Sequence, residues 1–419
     1  MTSEATVPSA ELPLGFSWGA VRAGIKASGN LDLAVVIAPG GAQAAAMFTT
    51  NQVVAAPITV GRRHLASTGG RVSAVLVNAG NANCATGSTG IEACLATCVA
   101  AGEAFHCIFD EVFPSSTGII GVPFPTEKVI AALPAAREAL GATLVHAETF
   151  AQAIMTTDTK LKVARAVVAI EGPGGSRREV RIFGAAKGAG MIHPRLGAAV
   201  PAGPPHATML VYLFTDLAAT SDELGALLAP AVHRSFNSIS IDGDTSTNDT
   251  VLLLASGSSG VPLDKRIHEA FQNALSLVCE SLAHKIVDDG EGVGHVVTLY
   301  ITGARDEAEA RQVARSIAHS PICKTAWSSG DPNWGRLIAA AGYSGVTFDP
   351  EKVTVHIGPQ IVFLGGMRAP DFDRAVAHQI MLQREYTIQI DLGEGSAQCR
   401  FLTCDLTAEY VAINADYSS

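Results

Sequence analysis

The stretch GPPHATMLVYLFTD, residues 203–216, places a threonine, Thr208, where a proline-containing turn gives way to an apolar run. The prolines disfavour a helix, and the residues after Thr208 have the composition of a half-buried strand. The pattern therefore predicts a threonine displayed at the start of a strand. Its hydroxyl is a weak nucleophile unless a base lies close to it.

Thr208 becomes a stronger nucleophile if the chain is cut in front of it. The α-amino group of an N-terminal threonine has a pKa of about 7.7–8.0 in model peptides and can accept the hydroxyl proton at neutral pH. Such an enzyme is made as a precursor, and the same hydroxyl can attack the carbonyl of Ala207 to release the new terminus. An Ala-Thr pair alone says little, because threonines that simply begin a strand are common, so the interpretation depends on other motifs.

Two other stretches raise the question of ligand binding. The loop DGDTSTNDT contains four side chains that could offer oxygen ligands to a hard cation: Asp242, Asp244, Asn248 and Asp249. Its spacing fits no EF-hand, and the favoured interpretation is a hydrogen-bonded loop that supports an active centre. The glycines of GAAKGAG miss the spacing of phosphate-binding loops. We expect them to allow close backbone approach instead.

Strand-like and helix-like segments alternate along the chain, which predicts an α/β protein. The strand-like runs are VSAVLVNAG, TMLVYLFT, TVLLLAS, VVTLYIT, KVTVHIG and YTIQIDL. Two helices are predicted behind capping boxes, one at Thr89 with Glu92 and one at Thr220 with Glu223. Residues 193–207, rich in Pro, Gly and Ala, are interpreted as an exposed linker near the midpoint.

The composition and net charge of the chain exclude some classes of function. The 419 residues are 48% hydrophobic and 16% charged, and the net charge is -10. We therefore expect two domains or two closely packed halves, an oligomer, and no nucleic-acid or membrane partner. The eight scattered cysteines form no CxxC pair and are expected to be reduced. With no signal peptide or membrane span evident, a cytoplasmic protein is predicted.

Taken together, the motifs resemble, in order and wording, the ornithine acetyltransferase family of arginine biosynthesis, also called glutamate N-acetyltransferase. The resemblance runs nearly from end to end. It is carried by the blocks NAGNANCATG, SSTGIIGVP, AIMTTDT, AAKGAGMIHP, ATML, SFNSISIDGDTSTNDTVLLLASG, DDGEG, GDPNWGR and INADYSS.

The resemblance implies a role for particular residues. Thr208 is the nucleophile and the cut follows Ala207, which divides the protein into residues 1–207 and 208–419. Thr117 and Gly118 correspond to the oxyanion hole, where a hydroxyl and a backbone N–H stabilise the tetrahedral intermediate. The substrate-binding residues that the resemblance implies are Thr157, Lys187, Thr208, Glu291, Asn414 and Ser419. A lysine can hold the carboxylate shared by both substrates, and a glutamate can pair with a cationic amino group.

The implied reaction is ping-pong acetyl transfer from N-acetylornithine to glutamate through an acetyl-threonine ester. No metal and no cofactor are implied, and the use of acetyl-CoA as a second donor is left open. The implied fold is an α/β protein with strands layered between helices (α/β/β/α). Its two chains per protomer, residues 1–207 and 208–419, would assemble as a dimer of heterodimers.

This sequence departs from the family pattern in four places. Residues 195–205 resemble an insertion directly before the cleavage point, His206 stands where the family has methionine, Ser419 replaces a terminal threonine, and His295 stands where many relatives carry lysine. Two alternatives to the acetyltransferase are also considered. A related hydrolase with the same nucleophile would transfer the acyl group to water. A binding protein whose cleavage is blocked by the inserted loop would remain one intact chain.

Overall fold

Two β-sheets flanked by helices organise the protein in a computed structural model, which describes residues 12–171, 177–197 and 209–416. Within those residues the larger sheet has nine strands and the smaller has six. The mixed α/β architecture predicted from the alternating segments is confirmed.

The larger sheet has the strand order β4-β3-β2-β9-β8-β6-β5, with β1 and β7 paired to β2. Its strands are β1 (Ser17–Val21), β2 (Leu33–Thr49), β3 (Arg71–Asn81), β4 (Val112–Ile119), β5 (Lys162–Glu171), β6 (Arg177–Lys187), β7 (Leu196–Gly197), β8 (Leu210–Thr215) and β9 (Thr250–Ala255). Strand β8 pairs antiparallel with β6 and parallel with β9. Strands from before and after position 207/208 therefore interleave in one sheet.

The smaller sheet has the order β13-β12-β11-β14-β10-β15. Its strands are β10 (Val296–Ala304), β11 (Thr354–Ile357), β12 (Gln360–Leu364), β13 (Met367–Arg368), β14 (Glu385–Asp391) and β15 (Ala397–Cys404). Alternation of buried and half-exposed residues along β14 shows that one face packs on a core and the other does not.

Helices cover both sheets. They are α1 (Ala56–Ser67), α2 (Gly87–Phe105), α3 (Thr126–Glu138), α4 (Leu144–Ala153), α5 (Ser221–Arg234), α6 (His268–Asp288), α7 (Glu307–Ala318), α8 (Pro321–Ser328), α9 (Trp334–Gly342), α10 (Arg374–Met381) and α11 (Ala408–Asp416). Helices α5 and α6 share a core with one face of β6, β8 and β9. The opposite face packs against α4 and β1, so the strand β8 is buried on both faces, as its unbroken apolar run requires.

Most predicted elements are confirmed, and two details are wrong. Thr220 and Glu223 form the predicted capping box at α5. Thr89 does not cap a helix, because α2 begins at Gly87 and leaves Thr89 inside its first turn.

The predicted exposed linker is also wrong at its start. His193 is 5% exposed, and its ring lies 4.4 Å from that of His319. Leu196–Gly197 adds a short strand to β2, so the chain is packed here despite its loop-like composition. Residues 198–207 of the predicted linker, with His206 among them, lie outside the described residues.

The described cysteines are free thiols, seven of them buried and Cys107 half-buried, as predicted. Among the described helices, none combines the length and apolarity that crossing a bilayer needs.

Candidate active site

Several strand ends of the larger sheet converge on one edge. Lys187 ends β6, and Met209 and Asp249 directly precede the parallel strands β8 and β9. Thr117 lies near the end of β4. The amide of Asn248 joins these segments, because its nitrogen donates to the carbonyl of Ser116 at 2.9 Å and to that of Ala82 at 2.8 Å.

Lys187 is the buried cation at this edge, with 3% of its surface exposed. Its ammonium group donates to the Thr156 hydroxyl at 2.7 Å and to the Thr117 hydroxyl at 3.3 Å. The Asp158 carboxylate lies 3.8 Å away. Burial lowers the pKa of Lys187, and the Asp158 charge opposes that shift. The site thus places a buried ammonium group beside a threonine hydroxyl, a combination suited to an anionic substrate group.

A chain of buried charges holds Lys187 in place. Lys162 lies between Asp158, at 2.7 Å, and Asp289, and all three side chains are buried. Asp158 also accepts a hydrogen bond from the Gly188 backbone at 2.6 Å. Burial alone would raise the pKa of Asp158, but the ammonium groups of Lys187 and Lys162 hold it well below its usual range. The alternating charges fix the loop at residues 156–160 against the end of β6.

Asp249 lies beside the residue that follows Thr208. Its Oδ1 accepts a hydrogen bond from the Met209 backbone N–H at 2.7 Å. Its Oδ2 is buried beside the Ser246 side chain. Burial raises the pKa of Asp249 to about 7, against the opposing effects of the Met209 hydrogen bond, of the neighbouring Ser246 side chain and backbone, and of the Lys187 charge.

Glu291 lies beside Ala189 and Gly190, in the segment that follows Lys187. A side chain at Gly190 would collide with the Glu291 carboxylate, at 2.4 Å from the added Cβ. The Asn414 amide donates to Glu291 at 2.9 Å, and the Glu291 backbone N–H donates to Ala189 at 2.8 Å. The expected close approach at Gly190 is therefore confirmed. It brings Glu291 and Asn414 next to the segment that carries Lys187.

Two further sequence-predicted residues lie at this edge. Thr157 is half-buried between Thr156 and Asp158, both of which contact Lys187. Gly118 has φ +130°, and an added Cβ would lie 2.3 Å from the Gly80 backbone, so only glycine fits. Three predicted residues, Ala207, Thr208 and Ser419, lie outside the described residues.

The acidic loop is hydrogen-bonded, as its composition predicts. Asp242 accepts backbone hydrogen bonds from Met191 at 2.5 Å and Ile192 at 2.9 Å. No group of three or more His, Cys, Asp or Glu residues suited to a metal ion occurs in the described ranges.

Sequence reasoning missed the buried charges behind Lys187. Asp158 and Lys162 are four residues apart in DTKLK, which gave a weak signal, since such pairs usually lie on a solvated surface. Asp289 comes from DDGEG, where only Glu291 was singled out. Asp249 was considered as a cation ligand and not as a neighbour of Thr208.

Comparison with known proteins identifies the family. The model described as "ArgJ family" matches residues 17–419. A protein named "Arginine biosynthesis bifunctional protein ArgJ" from Parasynechococcus marenigrum is 42% identical over 407 residues, covering 97% of this chain and 94% of that protein. The protein of that name from Thermus thermophilus is 43% identical over 409 residues, covering 97% of this chain and 99% of its own length.

Two solved structures are also similar. A crystal structure of ArgJ from Bacillus halodurans is 35% identical, with a TM-score of 0.47, over 50% of this chain and 99% of that chain. Ornithine acetyltransferase from Mycobacterium tuberculosis, complexed with ornithine, is 38% identical, with a TM-score of 0.37, over 44% of this chain and 94% of that chain. The family predicted from the motifs is confirmed by the matches over nearly the whole sequence, and this chain belongs to the ArgJ family.

Proposed function

We propose that this protein transfers an acetyl group from N-acetylornithine to glutamate, with Thr208 as an N-terminal nucleophile. The observation that carries the proposal is the position of Lys187. It ends the strand paired with β8, opposite Leu210, and its buried ammonium group contacts Thr117. A cation for the substrate and a hydroxyl for the oxyanion hole thus lie at the strand end that follows Thr208.

The proposed reaction has two steps. The Thr208 hydroxyl attacks the acetyl carbonyl, its own α-amino group accepts the proton, and ornithine leaves. The amino group of glutamate then attacks the acetyl-threonine ester. In both steps Thr117 and the Gly118 backbone N–H stabilise the oxyanion, a contribution of about 3–4 kcal/mol per donor in known cases.

Substrate recognition is proposed for Lys187, Thr157, Glu291, Asn414 and Ser419. Lys187 binds the α-carboxylate, which both amino acids share, and Glu291 pairs with an amino group. The relatives named bifunctional suggest acetyl-CoA as a second donor, a choice that we leave to experiment. No cofactor is required by the proposed chemistry.

The proposal includes self-cleavage between Ala207 and Thr208 into chains 1–207 and 208–419. Because β8 lies between β6 and β9, the hydrogen bonds of the sheet would hold the two chains together after the cut. The layered α/β/β/α arrangement, the dimer of heterodimers and the cytoplasmic location belong to the same proposal.

The test compares wild type with Thr208→Ala and with Thr89→Ala, an exposed threonine in α2. Purified proteins are incubated with N-acetylornithine with and without glutamate, and ornithine and N-acetylglutamate are measured. We expect Thr208→Ala to remain uncut and inactive and Thr89→Ala to behave as wild type. Turnover by uncut Thr208→Ala would reject the nucleophile. Release of many equivalents of ornithine per enzyme without glutamate, beyond the single equivalent that forms the acetyl-enzyme, would favour the related hydrolase.

A further inference from the structure

The loop between β1 and β2, residues 22–32, lies directly behind the proposed oxyanion hole. It packs on Gly80, where an added Cβ would lie 3.1 Å from Ile25 Cγ2 and 3.2 Å from Lys26 Cγ. Gly80 in turn pairs with Gly118 between β3 and β4, and a Cβ at Gly118 would lie 2.3 Å from the Gly80 carbonyl carbon. The loop, Gly80 and Gly118 therefore form a close stack, and a shift of the loop would reach Gly118.

A buried carboxylate fixes the shape of this loop. Asp32 is 0% exposed, and its carboxylate accepts hydrogen bonds from the backbone N–H groups of Ala23 at 2.6 Å, Ile25 at 2.5 Å and Lys26 at 2.9 Å. The Asp32 carbonyl accepts a further bond from the Ala79 N–H of β3 at 2.8 Å. The backbone of Lys26 is therefore held in one position relative to β3.

The side chain of Lys26 connects this loop to the end of α4. Its ammonium group donates to the Leu31 carbonyl at 2.6 Å and to the Ala153 carbonyl at 3.1 Å. Ala153 is the last residue of α4, and at such a position carbonyl groups lack helical partners and a nearby cation is favourable. Lys26 thus joins the loop behind the oxyanion hole to a helix end.

The residues that leave this helix end, 154–158, contain contacts of Lys187, and we call them the substrate segment. The Thr156 hydroxyl accepts a hydrogen bond from the Lys187 ammonium group at 2.7 Å. The Thr156 N–H donates to the Asp158 carboxylate at 2.9 Å, which lies 3.8 Å from the same ammonium group. Thr157, proposed above to bind substrate, lies between them in sequence. Movement of the α4 end would therefore displace these groups from the oxyanion hole.

The charge of Lys26 is sensitive to pH in a range where an ordinary lysine stays protonated. Burial lowers the pKa of Lys26 to about 8, and the nearby Lys187 ammonium group adds to the shift. The carboxylates of Asp32 and Asp158 oppose it. Lys26 therefore lies close enough to Lys187 and Asp158 to interact with their charges.

We propose that Lys26 is a positioning residue for acetyl transfer, whose ammonium group holds the substrate segment in register with the oxyanion hole at Thr117 and Gly118. The inference rests on the proposed function. Lys26 acts through the backbone at both ends of its contacts and not by touching the substrate. Misplacement of reacting groups by about 1 Å can slow a reaction by about 100-fold, so loss of the ammonium group should lower kcat more than it raises KM.

The test compares Lys26→Met and Lys26→Arg with a matched control, Lys128→Met. Lys128 donates to the Gly24 carbonyl of the same loop at 2.6 Å, but from an exposed position in α3. N-acetylglutamate formation from N-acetylornithine and glutamate is measured at pH 7 per molecule of cleaved protein, counted on denaturing gels.

We expect Lys26→Met to lower kcat by about 10–100-fold and to change KM by less than about threefold. Lys26→Arg should keep most of the activity, because a guanidinium group is also a charged donor. Lys128→Met should behave as wild type. A wild-type kcat for Lys26→Met would overturn the inference.

A pH profile separates the role of the charge from that of packing alone. The ratio of the wild-type kcat to the Lys26→Arg kcat should fall about tenfold between pH 7 and pH 9.5, because the lysine loses its charge near pH 8 and the arginine does not. Titration of Lys187 affects both proteins and cancels in the ratio. A ratio that does not change with pH would contradict the inference.

The outcomes also separate this inference from the proposed function. If wild type forms no N-acetylglutamate, the proposed function fails, and the role of Lys26 fails with it. If wild type is active and Lys26→Met has the same kcat, only the role of Lys26 is overturned. Thermal unfolding and the gels identify a Lys26→Met protein that is unfolded or uncut. In that case the ratio decides, since a tenfold fall supports the inference and a constant ratio contradicts it.

Discussion

The two sheets bury charge in different ways. At the edge of the larger sheet, Lys162 and Lys187 both contact buried Asp158. Beside the smaller sheet, the buried Lys324 donates to neutral acceptors, the Cys404 carbonyl and the Thr403 hydroxyl. Ion pairs near that sheet, such as Lys352 with Glu394 at 3.2 Å, lie on the surface.

The difference indicates where the fold contains buried charges that do not serve stability. A buried ion pair seldom stabilises a protein more than apolar residues of the same size would. One face of the smaller sheet packs on a cluster of buried apolar side chains, and the buried Lys324 beside it has neutral oxygen acceptors. The chain of charges at the larger sheet places Lys187 beside Asp158, which agrees with the substrate-binding role proposed for its ammonium group.

The largest expected effect is a loss of stability when a substitution interrupts the chain of buried charges. Lys162→Met leaves Asp158 and Asp289 buried without their shared cation, and we expect a loss of about 3–5 kcal/mol in the free energy of unfolding. Lys324→Met orphans no carboxylate and should cost about 1–2 kcal/mol. Urea unfolding of both variants measures the contrast. Equal losses would show that the two sheets do not differ in the way described.

The next effect concerns activity. Thr117→Val removes a hydroxyl beside Lys187, and we expect kcat to fall by about 10²–10³-fold while KM changes little. Thr403→Val removes the buried hydroxyl that Lys324 contacts and should leave kcat unchanged. Steady-state kinetics measures kcat for both variants and for Thr117→Ser, which keeps a hydroxyl and should recover activity. A normal kcat for Thr117→Val would remove Thr117 from the oxyanion hole.

Resemblance to the family's motifs singled out several residues that lie close together in the structure. Lys187, Glu291 and Asn414 were singled out by resemblance, and the structure brings Glu291 and Asn414 into contact at 2.9 Å. The strand that follows Thr208 was predicted correctly, but its expected half-burial was wrong, because β8 is buried on both faces.

The remaining features depend on contacts between distant segments. Lys162 and Asp289 lie far apart in sequence, and their pairing follows from the packing of α6 beside β5. His193 was expected at the surface because its neighbours have loop composition, yet it packs against His319. Thr89 and Thr220 have the same four-residue pattern, and only Thr220 lies at a true helix start.

A smaller expected effect is on the pH dependence of stability. It compares two carboxyl groups of the larger sheet, those of Asp249 and Asp216. The folded-state pKa of Asp249 is raised to about 7, so folded wild type binds a proton that the unfolded chain has released between about pH 4 and 7. Its stability therefore falls as pH rises through that window. In the uncut Thr208→Ala background, Asp249→Asn should gain about 2 kcal/mol over its parent between pH 5 and pH 8.

Asp216→Asn is the comparison for that measurement, because burial raises the pKa of Asp216 as well and the variant's stability relative to the parent should also rise with pH. An amide nitrogen cannot accept as a carboxyl oxygen does, so the substitution removes one of the two backbone hydrogen bonds that Asp216 accepts, from Leu14 and Arg181. We therefore expect it to be less stable than its parent at pH 5. Denaturant unfolding at pH 5 and pH 8 measures the stability of each variant relative to the Thr208→Ala parent. A constant difference between Asp249→Asn and its parent would contradict the raised pKa of Asp249.

The smallest effect tests local structure at α5, which packs on the larger sheet. Thr220→Ala removes a capping box and should cost about 1 kcal/mol. Thr89→Ala changes an exposed residue inside α2 and should stay within about 0.5 kcal/mol of wild type. Thermal unfolding compares them. A larger loss for Thr89→Ala would mean that α2 begins at the threonine after all.

In the proposed reaction one hydroxyl, that of Thr208 at the start of a newly made chain, carries the acetyl group. The most direct measurement is mass spectrometry of wild-type protein mixed briefly with N-acetylornithine in the absence of glutamate. We expect two polypeptides, with one acetyl group on the peptide that begins at Thr208, and we expect that acetyl group to be lost when glutamate is added. An active protein that remains a single chain, or an acetyl group on any other residue, would contradict it.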